Sequence, residues 1–302
     1  MPPSGRRYRL AAITKNRTNP AYAGARLGAD RVAARWGCTL THYVPEKPDD
    51  VAEQHALIKA AIAERPDALL LVPAHATALN DTLRRAQADG LPLVCFVGRP
   101  DAIACATFVG SDDRVLARGI AEHLFASLEG GGDIVTLEGH PNALTTAART
   151  AGFRDAAEAR GGIRIAGSRV GYYQREEGRT AMAELLEAVP GIDGVLAAND
   201  FMAIGAIEAM REARRMLPIV GINATPEGIA AIKAGAMLAS ASFDAMKMAC
   251  IAAEAAVRLL SGETIPGEIM LPVEVVDAAN LAAWDCPYAE RPLPEWGAFV
   301  SR

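Results

Sequence analysis

One junction constrains this chain more than any other. Val195-Leu196-Ala197-Ala198 is an apolar run of strand length that passes directly into Asn199-Asp200 and then into Phe201-Met202-Ala203-Ile204-Gly205-Ala206, a small-residue helix start. A strand buried on both faces reads as such a run, and the polar pair at its end is delivered to the C-terminal edge of a sheet. Open α/β sheets hold their ligands at that edge. The segment Ile13-Thr14-Lys15-Asn16-Arg17-Thr18-Asn19-Pro20-Ala21-Tyr22 repeats the arrangement after the first apolar run. Two such edges, about 180 residues apart, imply two similar domains.

The rest of the chain follows the same rhythm. Strands are expected at Tyr8–Thr14, Thr39–Val44, Ala68–Val72 and Leu93–Val97, separated by helices over Tyr22–Trp36, Val51–Glu64 and Thr77–Asp89. After Gly110-Ser111-Asp112-Asp113 a second series begins, with helices at Arg114–Leu128, Ala143–Ala159, Glu176–Val189, Ala203–Arg215 and Pro226–Ala234. Its strands are Asp133–Glu138, Ile163–Val170, Gly194–Ala197, Pro218–Ile222 and Met237–Ser242. Strands alternating with helices make βαβ units and hence parallel sheets flanked by helices. The helix Ala245–Leu260 is surplus to the second series and is expected to return to the first. This gives an α/β fold of two lobes, residues 8–112 plus 244–273 and residues 113–243 plus 274–302. They are joined by a hinge of three crossovers near Asp112, Phe243 and Pro272–Glu274, with a ligand cleft between them. The proline-rich tail from Cys286 to Trp296 is expected to lie along the surface of the second lobe.

A length of 302 residues suits two domains, each with its own core. Acidic side chains outnumber basic ones, 36 to 31, so the charge of -5 gives no electrostatic ground for a nucleic-acid partner. The N-terminal MPPSGRRYRL has no apolar core of a signal peptide, and the apolar run Ala68–Ala74 is too short to cross a membrane. The five cysteines show no CxxC spacing, and the five histidines form no metal-ligand pattern. His75 and His140 each follow a strand at the ligand-facing edge, where a structural cap is the default reading.

Catalytic signatures are missing as well. The run after strand 1 has no glycine where a dinucleotide fingerprint requires it, and Gly130-Gly131-Gly132 precedes a strand instead of following one. No Ser-His-Asp order or carboxylate pair stands out. The sequence therefore argues against an enzyme, and no cofactor or metal is expected.

Taken in order, several motifs resemble the sugar-binding proteins of ABC importers, in particular the ribose-binding type, whose core is shared by the ligand domains of LacI-like repressors. They are Asn19-Pro20, Gly110-Ser111-Asp112, Ala148-Arg149-Thr150-Ala151-Gly152-Phe153, Asn199-Asp200 with Met202-Ala203-Ile204-Gly205, and Val220-Gly221-Ile222-Asn223-Ala224-Thr225-Pro226-Glu227. The resemblance covers Tyr8 to Val276. It implies two Rossmann-like lobes of the type I periplasmic binding protein fold closing on a small sugar or polyol. It also implies delivery to ABC permease membrane subunits, a periplasmic location with the signal segment removed or omitted, and a monomer. A LacI-like regulator core lacking its DNA-binding headpiece is the alternative of another class.

The ligand set the resemblance implies is Lys15, Asn19, Tyr22 and Arg99 from the first lobe. The second lobe contributes Arg149, Tyr173, Asn199 and Asn223, with Phe243 or Asp244 from the hinge strand. Asn, Asp and Arg suit vicinal hydroxyls because they offer planar donors and acceptors at fixed angles. The chain departs from the ribose pattern in four places. Val97-Gly98-Arg99 lacks the usual Asp before its Arg, Asn223 replaces an Asp, Ala21 replaces an aromatic, and Phe243 stands where the hinge glutamine is expected. Lys15, Arg99 and Arg149 together would suit an anionic solute such as an aldonate. Alternatively Lys15 pairs with a cleft carboxylate or swings to solvent, and the loss of the aromatic at Ala21 also favours a four- or five-carbon alditol over a flat ring.

For single residues other readings compete. Either Asn199 or Asp200 caps the following helix, and the expectation gives the ligand to Asn199. Tyr172 competes with Tyr173, since one residue of register exchanges them.

Overall fold

The computed structural model describes residues 7–129 and 131–300. The chain divides into two units. The first takes the described residues of Met1–Ser111, Ala245–Leu271 and Tyr288–Arg302, the second Asp112–Asp244 and Pro272–Pro287.

In the first unit β1 (Arg9–Ile13), β2 (Thr39–Tyr43), β3 (Ala68–Leu71), β4 (Leu93–Phe96) and β5 (Thr107–Gly110) alternate with α1 (Pro20–Trp36), α2 (Val51–Ala63) and α3 (Asn80–Ala88). A later strand, β11 (Glu268–Met270), completes a parallel sheet of order β2-β1-β3-β4-β5-β11. Every residue of β3 and β4 is buried, as expected for strands covered by helices on both faces. Ile13, Ile58, Leu69, Leu71, Leu79 and Leu83 form the centre of one core. α1 begins with Pro20 behind the Asn19 cap and stops at Gly37, whose left-handed φ of 68° closes the last turn. Helix α9 (Ala245–Leu260) packs along α1. Their approach is close: a Cβ on Gly28 would lie 2.8 Å from the Met246 carbonyl oxygen.

The second unit repeats this plan with β6 (Gly132–Glu138), β7 (Ile163–Val170), β8 (Gly194–Ala197), β9 (Ile219–Ile222) and β10 (Ala239–Ala241). Its helices are α4 (Asp113–Ala126), α5 (Leu144–Arg160), α6 (Arg175–Ala188), α7 (Asp200–Glu212) and α8 (Pro226–Lys233). The sheet order is β7-β6-β8-β9-β10-β12, in which β12 (Val275–Asp277) runs antiparallel to β10. Each sheet therefore reverses its strand order beside its first strand, at β1/β3 and at β6/β8. Such a reversal opens a crevice at the strands' C-terminal ends.

Three expectations change. The first sheet has six strands, not four: β5 is not an unbroken buried run, its Phe108 being half-buried, and β11 has only three residues. The second sheet is not purely parallel. The tail also divides: Pro272–Pro287 stays with the second unit, whereas the described residues from Tyr288 belong to the first. The physical reason is local. Arg31 Nη1 donates to the carbonyls of Tyr288 and Arg291 at 3.2 and 2.7 Å, and Arg258 lies 4.9 Å from the Trp296 ring centre. The chain thus changes unit four times instead of three.

Candidate functional site

Two polar clusters stand at the C-terminal edges of the two sheets. In the first unit the chain leaving β1 turns through Lys15 and Asn16, both buried. Asn16 organises the turn: its Oδ1 accepts from the backbone N–H groups of Thr18 and Asn19 at 3.0 and 2.8 Å, and its Nδ2 donates to Asp49 at 3.1 Å. Lys15 Nζ meets the same Asp49 carboxylate at 2.8 Å, with both side chains almost fully enclosed. Gln54, fully buried on α2, ties the ends of β1 and β3 together. It donates to the carbonyls of Thr14 and Val72 and accepts from the Ala74 N–H. Asn19 caps α1 through Oδ1, which accepts from the Ala21 N–H at 3.0 Å. Among the described residues its Nδ2 has no hydrogen-bond partner. Tyr22 is buried on α1.

Arg99 is not brought to this cluster. Its side chain is 55% exposed, pairs with Glu268 at 3.2 Å and lies 5.1 Å from the centre of the Phe108 ring. Glu268 opens β11 and Phe108 lies near the start of β5, so the guanidinium is drawn away from the edge where Lys15 and Asn19 sit. The partner comes from 169 positions further along the chain, which no local pattern reveals.

In the second unit Arg149 is the centre. It projects from α5 and is 3% exposed. Its Nε donates to Asp113 Oδ1 at 2.7 Å and its Nη1 to the Ala198 carbonyl at 2.6 Å. The guanidinium also lies 5.6 Å from the ring centre of Tyr173 and 4.7 Å from that of Phe243. A cation over aromatic faces keeps electrostatic stabilisation where water is scarce. Tyr173 is held by its own hydroxyl, 2.8 Å from Thr145 Oγ1 and 3.1 Å from Thr146 Oγ1, and its ring rests against Gly139. Tyr172, in contrast, is exposed and meets His140 edge-on. His75 and His140 each accept a backbone N–H through Nδ1, from Thr77 and from Asn142.

The Asn199-Asp200 pair divides its work differently from expectation. Asn199 is the cap of α7: its Oδ1 accepts from Met202 N–H at 2.9 Å, and its Nδ2 donates to the Tyr173 carbonyl at 3.2 Å. It is wholly buried. Asp200, equally buried, joins the sheet to the turn before α8. Its Oδ2 accepts from the Thr225 N–H and hydroxyl at 2.8 and 3.0 Å, and its Oδ1 accepts from the Ser240 hydroxyl at 2.6 Å. Burial pushes its carboxyl above the ordinary range, while the donors from Ser240 and Thr225 and the charge of Arg149 pull it back.

Asn223 has an unusual backbone. It is 6% exposed and its φ is 125°. Strained backbone persists where the surrounding structure enforces it. Phe243 is buried and Asp244 half-buried just beyond β10.

Sequence reasoning missed Asp49 and Asp113, the two carboxylates that meet the buried cations. The signal was present in two doublets. Asp50 caps α2 and leaves Asp49 for Lys15, while Asp112 caps α4 and leaves Asp113 for Arg149. Asn199-Asp200 is a third doublet of this kind, with one member capping and the other facing inward. Among the described residues no cluster of His, Cys, Asp and Glu could hold a metal ion, and no helix is long and apolar enough to cross a membrane.

This architecture, two α/β units each ending in a buried polar cluster, is that of a two-lobed solute receptor. The chain belongs to the periplasmic binding protein family, whose domain model matches residues 10–264. A D-ribose/D-allose-binding protein of Pseudomonas aeruginosa is 32% identical over 241 residues, covering 76% of this chain and 75% of that one. A putative rhizopine-binding protein of Rhizobium meliloti is 32% identical over 243 residues, 78% of this chain and 79% of its own. Among solved structures, an ABC transporter periplasmic solute-binding protein from Actinobacillus succinogenes with bound D-allose matches with a TM-score of 0.86 at 26% identity. It covers 90% of this chain and 98% of that one. The fold is that of type I periplasmic binding proteins, and the role is solute binding for an ABC transporter.

Proposed function

We propose that this protein captures a small, neutral, polyhydroxylated solute, a monosaccharide or an alditol, in the periplasm and hands it to the membrane subunits of an ABC permease without chemical change. The polar clusters of the two sheet edges supply the contacts: Lys15, Asn19 and Tyr22 from the first unit, Arg149, Tyr173, Asn223, Phe243 and Asp244 from the second. Asn199 positions Tyr173 and the start of α7.

One observation carries the choice of a neutral solute over a sugar acid. The buried cation of each cluster already has its own carboxylate: Lys15 has Asp49 at 2.8 Å, and Arg149 has Asp113 at 2.7 Å. Arg99, the third positive charge, is out at Glu268. Neither Lys15 nor Arg149 therefore brings a surplus charge to repay the desolvation of a ligand carboxylate. The paired groups still have donors and acceptors for hydroxyls, and the apolar faces of Tyr22, Tyr173 and Phe243 suit the C–H faces of a sugar or polyol. The relatives named for ribose, allose and xylitol support the same solute class.

The test is a thermal-shift screen of pentoses, hexoses, alditols and aldonates. A solute at a hundred times its Kd stabilises the native state by about 2.7 kcal/mol. A shift with neutral polyols and none with aldonates is expected. A shift confined to aldonates refutes the charge argument.

A further inference from the structure

Away from both polar clusters the first unit holds a close pair of cysteines. Cys95 lies in β4 and is fully buried, while Cys105, just ahead of β5, is half-buried. Their Sγ atoms are 2.7 Å apart, and both are thiols. Two sulfurs that merely neighbour one another stay farther apart than this, and a disulfide needs them at about 2.05 Å. A small movement joins them.

The segment between the two cysteines leaves the end of β4. It starts with Val97 at a φ of 67°, contains Ala102 at 55°, and carries Arg99 on its ion pair with Glu268. Neither Val nor Ala favours the left-handed region. The connection is therefore held in its shape by its ends and contacts, and the sulfur pair lies where those ends meet.

We propose that Cys95 and Cys105 close into a cystine when the chain meets a disulfide oxidant, and that the bond anchors the connection from β4 to β5. The order of events follows from the surroundings. Cys105 is the accessible partner. The hydrogen bond with Cys95 lowers its pKa against the opposing effect of burial, with help from the Arg99 charge. Burial, above all, holds the Cys95 thiol well above its ordinary value. The Cys105 thiolate attacks one sulfur of the oxidant, whose S–S bond breaks and whose other sulfur leaves as a thiol after taking up a proton. Cys95 then loses its proton and attacks Cys105 in the mixed disulfide, releasing the oxidant's second thiol. Two thiols are oxidised to one cystine, and the oxidant's disulfide is reduced to two thiols. An extracytoplasmic location provides such oxidants.

The inference does not depend on which solute binds, and its test uses no ligand. The purified protein is incubated with oxidised glutathione, alkylated in denaturant, digested without reductant and mapped by mass spectrometry. A Cys38→Ser, Cys250→Ala, Cys286→Ser variant, which keeps only the pair, is treated in the same way. Both should give the Cys95–Cys105 cross-linked peptides. Calorimetry is the second readout. A reductant should lower the Tm of the oxidised wild type by about 5–10 °C, since the bond closes a short loop. The Cys95→Ala, Cys105→Ala variant should not respond in this way. Alkyl label on both cysteines after oxidation, glutathione retained on Cys105, or a cystine whose reduction leaves Tm unchanged would overturn the proposal.

Discussion

Replacing Asp113 by alanine tests the account of the second cluster most severely. Arg149 is 3% exposed and spends two donors on Asp113 and the Ala198 carbonyl. The substitution leaves the cation in place, still under Tyr173 and Phe243, with the carboxylate it donates to gone. At an effective dielectric constant near 20, unit charges about 4 Å apart interact by about 4 kcal/mol. Breaking buried pairs on one side costs about 3–5 kcal/mol. For a unit of this size each kcal/mol is worth about 2–4 °C in Tm, so a fall of roughly 10 °C is expected by scanning calorimetry. The double variant Asp113→Ala, Arg149→Met removes the stranded charge and should recover most of that loss, though not solute binding. Asp113→Asn keeps a hydrogen-bond acceptor but leaves Arg149 unneutralised, and should gain relative affinity for aldonates. If Asp113→Ala lowers stability by less than about 1 kcal/mol, the ordinary range for exposed pairs, the pair is not the buried anchor described above.

Asn223→Gly relieves the strain of a φ of 125° while deleting the amide. Tm should rise by an amount corresponding to about 1 kcal/mol as solute affinity falls at least tenfold, and an unchanged Kd in titration calorimetry would remove Asn223 from the site. Gly139→Ala places a Cβ 2.0 Å from the Tyr173 ring, displacing the ring from Thr145 and Arg149. A loss of about 1–3 kcal/mol in chemical denaturation is expected, together with weaker binding. Asp200 provides a pH test. Its folded pKa is raised from 3.8 by burial, so the proton is held more tightly when folded, and this contribution is full below 3.8 and declines as pH rises through the folded value. Relative to Asp200→Asn, the wild type should lose stability as pH increases across the acidic range, and a gain would contradict the burial argument.

The alternation of strands and helices was legible because β3, β4, β8 and β9 are wholly buried and read as unbroken apolar runs. β5, β11 and β12 were not: the buried run of β5 is broken at Phe108, and the edge strands β11 and β12 have only three residues each and owe their pairing to distant partners. The same contrast runs through the candidate site. Arg149 and Asn223 stand out in motifs, whereas Asp49 and Asp113 look like ordinary members of helix-capping doublets until the fold brings a cation to each. Asn199 and Asp200 are adjacent, so sequence locates the junction but leaves the division of labour to backbone geometry. The return of the chain from Tyr288 onward depends on Arg31 and Arg258, residues more than 30 positions away or on the opposite side of the sequence.

The measurement that bears most directly on the central claim is titration calorimetry of the full chain with a matched five-carbon alditol and aldonate, which differ only in a terminal carboxylate. Because Lys15 and Arg149 are each neutralised by their own aspartate, the alditol should bind at least tenfold more tightly than the aldonate. Tighter binding of the aldonate would show that the cations are available to an anion, and would contradict the account.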